Sequence, residues 1–169
     1  MLRFSGAFAI RKLQMKNIER FNLYAAYVLG KLYDQFPVAR AIDTKDVIEA
    51  LKLPPQKPDP KQNAESMEHA FVTHTLQWLV DTGYLIMRES GTHVKRYVLS
   101  PKAFEALSAT LSALEGKKSE AKEKSVGEVL SDAATGAGKE MAKETWKQVS
   151  SQIVGQVIGH AVKVISGPG

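Results

Sequence analysis

The fold is decided by the stretch Asp81-Thr-Gly-Tyr-Leu-Ile-Met-Arg-Glu-Ser-Gly-Thr-His-Val-Lys-Arg-Tyr-Val-Leu-Ser-Pro-Lys-Ala-Phe-Glu-Ala-Leu107. Gly83 supplies a left-handed helix terminus. Tyr84–Met87 and Val94–Leu99 have the aromatic and β-branched content of two strands, and Arg88-Glu-Ser-Gly91-Thr-His93 supplies the turn between them. Ser100-Pro101 is a cap followed by proline at the first helical position, where its missing N–H costs nothing. Phe104, Leu107, Leu111 and Leu114 then continue as one apolar stripe. A hairpin between two helices follows from these residues.

Upstream, the spacing predicts a helix from about Ala64 to Thr82. Met67, Phe71, Val72, Thr75, Leu76, Trp78 and Leu79 cover one broad side, while Ser66, His69, Thr73, Gln77 and Asp81 line the other. Before it, Pro54-Pro55-Gln-Lys-Pro58-Asp-Pro60 places four prolines in seven residues, an exposed, semi-extended loop. Asp43 caps a short helix with Val47, Ile48 and Leu51 as its buried stripe. Asn22 is expected to cap another that carries Leu23, Tyr24, Tyr27, Val28, Leu32 and Phe36 and stops at Pro37. Residues 1–20 are set apart as an N-terminal basic helix bearing Arg11, Lys12, Lys16 and Arg20, which packs on the domain or on a second copy, or touches phosphate or a membrane.

Composition changes along the chain. Twelve of the 13 aromatic residues fall in residues 1–104, and eight of the 12 glycines follow residue 115. Aromatic side chains carry much of a core's contact area, so the compact domain is expected over 21–114. A charged linker, 115–125, with Ala121 as its one apolar residue, leads to a Gly/Ala-rich amphipathic segment, 126–169. The net charge of +5 favours a polyanionic partner only mildly. The absence of cysteine excludes disulfides, thiol catalysis and Cys-ligated metals. No stretch resembles a signal peptide or a spanning helix, which fits a cytoplasmic location.

In the last segment Ile153, Val154, Val157, Ile158 and Val162 form a stripe, Gly155 and Gly159 have the small-xxx-small spacing that lets helices approach closely, and Trp146 stands between Lys143 and Lys147. These residues are a candidate oligomer or membrane face. An oligomerising or folded-back helix, an interfacial membrane helix and a tail that orders on a partner all remain open. Gly136 and Gly138 weaken the helix by about 1 kcal/mol each, so a break is expected there.

No catalytic constellation is present. His69 and His74 are five apart and point to different sides of one helix, unsuited to zinc. Gly136-Ala-Gly138-Lys139 lacks the strand and spacing of a phosphate loop. The expectation is a protein that is not an enzyme, with no cofactor and no metal.

Residues 21–114 resemble a winged helix-turn-helix domain of the bacterial transcription-regulator type. In that family Gly-Tyr-Leu/Ile ends the recognition helix and Tyr-x-Leu-Ser/Thr leads into the next; here these are Gly83-Tyr84-Leu85 and Tyr97-Val98-Leu99-Ser100. The resemblance implies a mostly α fold with a small β-hairpin wing, followed here by a C-terminal helical extension. It implies double-stranded DNA as partner, with the helix 64–82 in the major groove and Ser66, His69, Thr73 and Gln77 facing base edges. Arg88, His93, Lys95 and Arg96 on the wing, and Lys61 ahead of the helix, would meet phosphate or the minor groove. A dimeric regulator is the natural form. Two features depart from the family: the loop Pro54–Asn63 is long, and the helix 64–82 has no Lys or Arg but carries Glu65, Glu68 and Asp81. A carboxylate beside a phosphate is unfavourable by about 1 kcal/mol or more where water is excluded. A protein-docking winged helix with a C-terminal oligomerising or membrane-associating helix is therefore the alternative.

Overall fold

Asn17–Asp34 forms a single helix, α1, whose middle turns lie inside the core. Leu23 to Gly30 are buried without a break, as are Arg20 and Leu32. A helix apolar all round belongs in an interior rather than on a surface. The computed structural model describes residues 15–56, 61, 63–89, 91, 94–109, 123–136, 150–151 and 154–155. After α1 come β1 (Arg40–Ala41), α2 (Thr44–Leu51), α3 (Ala64–Asp81), β2 (Leu85–Glu89), β3 (Lys95–Leu99), α4 (Pro101–Ser108) and α5 (Val126–Thr135). The described chain is thus mostly helical with one small antiparallel sheet, of strand order β1-β3-β2.

Local chemistry sets most of these boundaries. The Asp43 carboxylate accepts from the Lys45 N–H at 2.8 Å and starts α2. The Ser100 hydroxyl accepts from Ala103 N–H at 3.1 Å, with Pro101 at the first helical position of α4. Gly83, at φ 75°, closes α3. In the hairpin Leu85 faces Leu99 and Glu89 faces Lys95, a register that turns Leu85, Leu99 and Tyr97 into the core. Strand β1 is held on β3 by Arg40 opposite Tyr97 and Ala41 opposite Arg96, which ties the hairpin to the link between α1 and α2. A two-residue strand has no periodicity, and the sequence carries no sign of it.

Three expectations are corrected. Asn22 is not a cap: α1 begins at Asn17, where the Lys16 N–H donates to Glu19 Oε2 at 3.4 Å, so the boundary drawn at 20/21 falls inside one helix. Residues 7–14 of the expected N-terminal helix lie outside the described residues. Second, the compact domain does not end near 114. Val126 and Leu130 of α5 are fully buried in the same core as Val28, Leu29, Leu32 and Leu107. Third, Val154, assigned to an oligomer or membrane face, is buried in this core at 1% exposure, whereas Gly155 is exposed. Trp146, Ile153, Val157, Ile158, Gly159 and Val162 lie outside the described residues, as do Leu111 and Leu114.

Helix α5 joins the core because small residues permit close approach. A Cβ on Gly30 would overlap the Leu130 carbonyl, and one on Gly127 would overlap the Tyr33 ring. Tyr33 also stacks on Phe104 at 5.7 Å and lies 3.3 Å from the Ser125 hydroxyl. Ser125 caps α5, accepting from Glu128 N–H at 3.2 Å while its own N–H donates to the Glu128 carboxylate at 2.7 Å. The Val126 N–H donates to the Ala109 carbonyl at 2.9 Å, fastening the start of α5 to the end of α4. Gly136, at φ 77°, ends α5 where a break is expected.

Glycine to alanine inside a helix normally stabilises by about 0.5–1 kcal/mol. At Gly30 and Gly127 the sign reverses: Gly30→Ala and Gly127→Ala in the full chain each destabilise, by about 1–3 kcal/mol for overpacking. Urea unfolding measures this, and a raised midpoint for Gly30→Ala would contradict the close crossing of α1 and α5.

Candidate nucleic-acid interface

Helix α3 starts on Asn63, whose side-chain oxygen accepts from Ser66 N–H at 2.6 Å. Its inner side carries Glu68, Val72, Thr75, Leu76 and Leu79. Its outer side exposes Ser66, Ala70, Thr73, His74, Gln77 and Asp81. Thr73 Oγ1 donates to the His69 carbonyl at 2.9 Å, which leaves its lone pairs outward. Gln77 Nε2 donates to Asp81 Oδ1 at 2.8 Å, so the Asp81 charge is partly met by a neighbour and the Gln77 carbonyl stays open.

Ser66, Thr73 and Gln77 therefore occupy one open strip. His69 does not share it: the ring is half-buried, and its Nδ1 lies 2.7 Å from Thr44 Oγ1, joining α3 to α2. Ala70 and His74 do share it, and the sequence pattern missed them. Ala70 offers no hydrogen-bonding group, and His74 sits at the border between the two sides. Lys61 is exposed three residues before α3 begins. His93 lies outside the described residues.

Beside the strip is a groove of about 440 Å³ between α3, the β1–α2 link and β3. Thr73, Leu76 and Gln77 form one wall, Ile42, Asp43 and Thr44 another, and Val94, Lys95 and Tyr97 the third. Lys95 thus stands at the groove. Arg88 and Arg96 do not. They are direct partners across β2 and β3, so they project from the same pleat face, opposite to that of Lys95. Both are exposed, and like charges set directly opposite repel. The hairpin offers cations on both faces.

Behind the strip lies a charged interior. Glu68 receives hydrogen bonds from the Arg20 guanidinium and the Tyr24 hydroxyl, and Gln56 Nε2 donates to its second oxygen at 3.4 Å. Arg20 also donates to the Pro54 carbonyl, and its Nε has no acceptor among the described residues. Arg20, expected as a basic residue of an N-terminal helix, is 1% exposed, and Glu68, expected as a carboxylate beside the reading face, is 7% exposed. The correction has one cause: each satisfies the other across 48 residues of sequence, which no local pattern reveals.

Among the described residues, no cluster of three or more His, Asp or Glu could hold a metal ion, and no helix is long and apolar enough to cross a membrane. No family model, curated protein or solved structure matches this chain.

Burial, then the Glu68 carboxylate, pushes the Tyr24 hydroxyl well above its ordinary value of 10.0, and burial raises Tyr84 and Tyr97 as well. The folded form thus resists ionisation that the unfolded chain undergoes. These groups contribute stability fully below the unfolded value, and the contribution is lost as pH rises above about 10. Urea midpoints are expected to fall steeply above that pH, with the rise of tyrosinate absorbance lagging until the chain unfolds. Tyr24→Phe starts lower at neutral pH, by about 1 kcal/mol for a lost hydrogen bond, yet declines less with alkali.

Proposed function

We propose that the chain is a winged helix-turn-helix protein that binds double-stranded DNA, with α3 in the major groove and the β2–β3 hairpin as its wing. The single observation that carries this is the open strip of Ser66, Thr73 and Gln77 on α3, with Lys95 across the adjoining groove, Asp81 engaged by Gln77 and Glu68 turned inward. Gln pairs well with adenine at N6 and N7, and Ser and Thr serve as donor or acceptor. Turning Glu68 into the core removes a carboxylate from where a phosphate would come. Lys95 on one face of the hairpin and Arg88 and Arg96 on the other would supply the phosphate contacts from which affinity comes. Lys61 would add a backbone contact before α3. His69 acts in this scheme by holding α3 on Thr44 rather than by touching a base. A dimeric transcription regulator in the cytoplasm, reading a two-fold site without cofactor or catalysis, is the natural setting.

A protein-docking role is the alternative. It is favoured by the absence of Lys and Arg from α3 and by the exposure of Ile18 at 62% and Trp78 at 37%, with Phe21 packed edge-on against Trp78 at 5.0 Å. The part of the tail after α5 would then serve oligomerisation or membrane association.

Fluorescence anisotropy of the full chain on genomic duplexes at two salt concentrations separates the two roles. Arg88→Ala, Lys95→Ala and Arg96→Ala are each expected to weaken binding to all sequences and to lower the salt slope by about one. Thr73→Ala and Gln77→Ala are expected mainly to narrow the gap between preferred and scrambled sites. Absence of binding, or affinity indifferent to salt, points to the docking role.

A further inference from the structure

The first two turns of α3 are held unlike the rest of the helix. From Val72 onward the inner side is anchored by Val72, Leu76 and Leu79 in the main core, with Thr75 buried beside them. Between Ala64 and Ala70 the one buried residue is Glu68; Met67 and His69 are half-buried and the others exposed. This half of the helix therefore lies on a carboxylate and on the Thr44–His69 hydrogen bond.

Apolar contact is non-directional. A carboxylate meeting a guanidinium and a phenol has defined directions. Replacing a buried ion pair by apolar residues of similar volume is often neutral or stabilising, so stability alone is a weak reason to keep one. Arg20 also reaches the Pro54 carbonyl, and Gln56 reaches Glu68, so the same cluster fixes where the chain leaves α2 for α3. We propose that Arg20, Glu68 and Tyr24 are positioning residues that seat the first two turns of α3 and set the departure of the α2–α3 loop at Pro54, and thereby determine how the start of the helix, with Ser66, is presented. The claim about recognition rests on α3 being the contact helix; the claim about geometry does not.

The test uses the full chain with Arg20→Met combined with Glu68→Leu, and separately Arg20→Lys, which keeps the charge but lacks the fork needed to serve Glu68 and Pro54 together. Hydrogen exchange followed by mass spectrometry reads segments 52–56 and 64–70 against 72–79. The double variant is expected to keep or raise its urea midpoint, while exchange in 52–56 and 64–70 accelerates about tenfold and 72–79 holds, the signature of local opening. On the duplex that the wild type prefers, discrimination against a scrambled duplex is expected to fall about tenfold with the salt slope unchanged, since the base contact from Ser66 is lost while the hairpin's phosphate contacts are kept. Unchanged exchange in 64–70 in a folded double variant overturns the proposal. Should that variant not fold, unchanged exchange in Arg20→Lys overturns it, and local acceleration there supports it. A wild type that binds no duplex overturns the DNA reading alone, and the exchange result then decides the positioning claim.

Discussion

Everything in this structure is arranged around one constraint: α1 has no solvent face over residues Leu23–Gly30. A helix buried on every side must be covered by several partners at once. On one side α3 meets it through Phe71 against Tyr24, and on another α5 meets it at Gly30. The glycine and the tyrosine mark different solutions to one packing problem. Where the neighbouring backbone comes near, the side chain is removed; where space remains, an aromatic ring fills it. The core is accordingly continuous from the sheet to α5, with Leu85 and Leu99 in the same cluster as Leu130.

The open strip on α3 inherits its position from this arrangement. Its C-terminal half is seated by aliphatic packing and its N-terminal half by the Arg20–Glu68 pair. The hairpin beside it is fixed in turn, because β3 is paired on both edges and β1 belongs to the α1–α2 link. Helix, groove and hairpin therefore form one unit. What contacts that unit depends on charge: the strip itself has hydrogen-bonding groups, and the cations sit on the hairpin and at Lys61.

How much of this was legible in the sequence follows from the range of each interaction. Asp43, Gly83, Ser100 and Pro101 act within four residues of themselves, and the elements they bound were readable. The strip of Ser66, Thr73 and Gln77 was readable from helical spacing. His69 was misplaced because its partner Thr44 lies 25 residues away. The burial of Arg20 and Glu68 is hidden for the same reason, since each is the other's partner across 48 residues. The inclusion of α5 in the core was hidden by composition: Gly127, Ala133 and Ala134 suggest a tail that cannot build an interior. Gly127 and Ala134 join one because α1 and Tyr33 contribute the bulk, and small residues are what such closeness requires.

The covering of Gly30 by Leu130 also has a consequence in time. Synthesis delivers about 5–20 residues per second, so the hundred or so residues between these positions emerge on the order of 5–20 s apart. Throughout that interval α1 lacks the neighbour that packs on Gly30. Among the described elements the innermost helix is made first, and the helix that closes over it is made last.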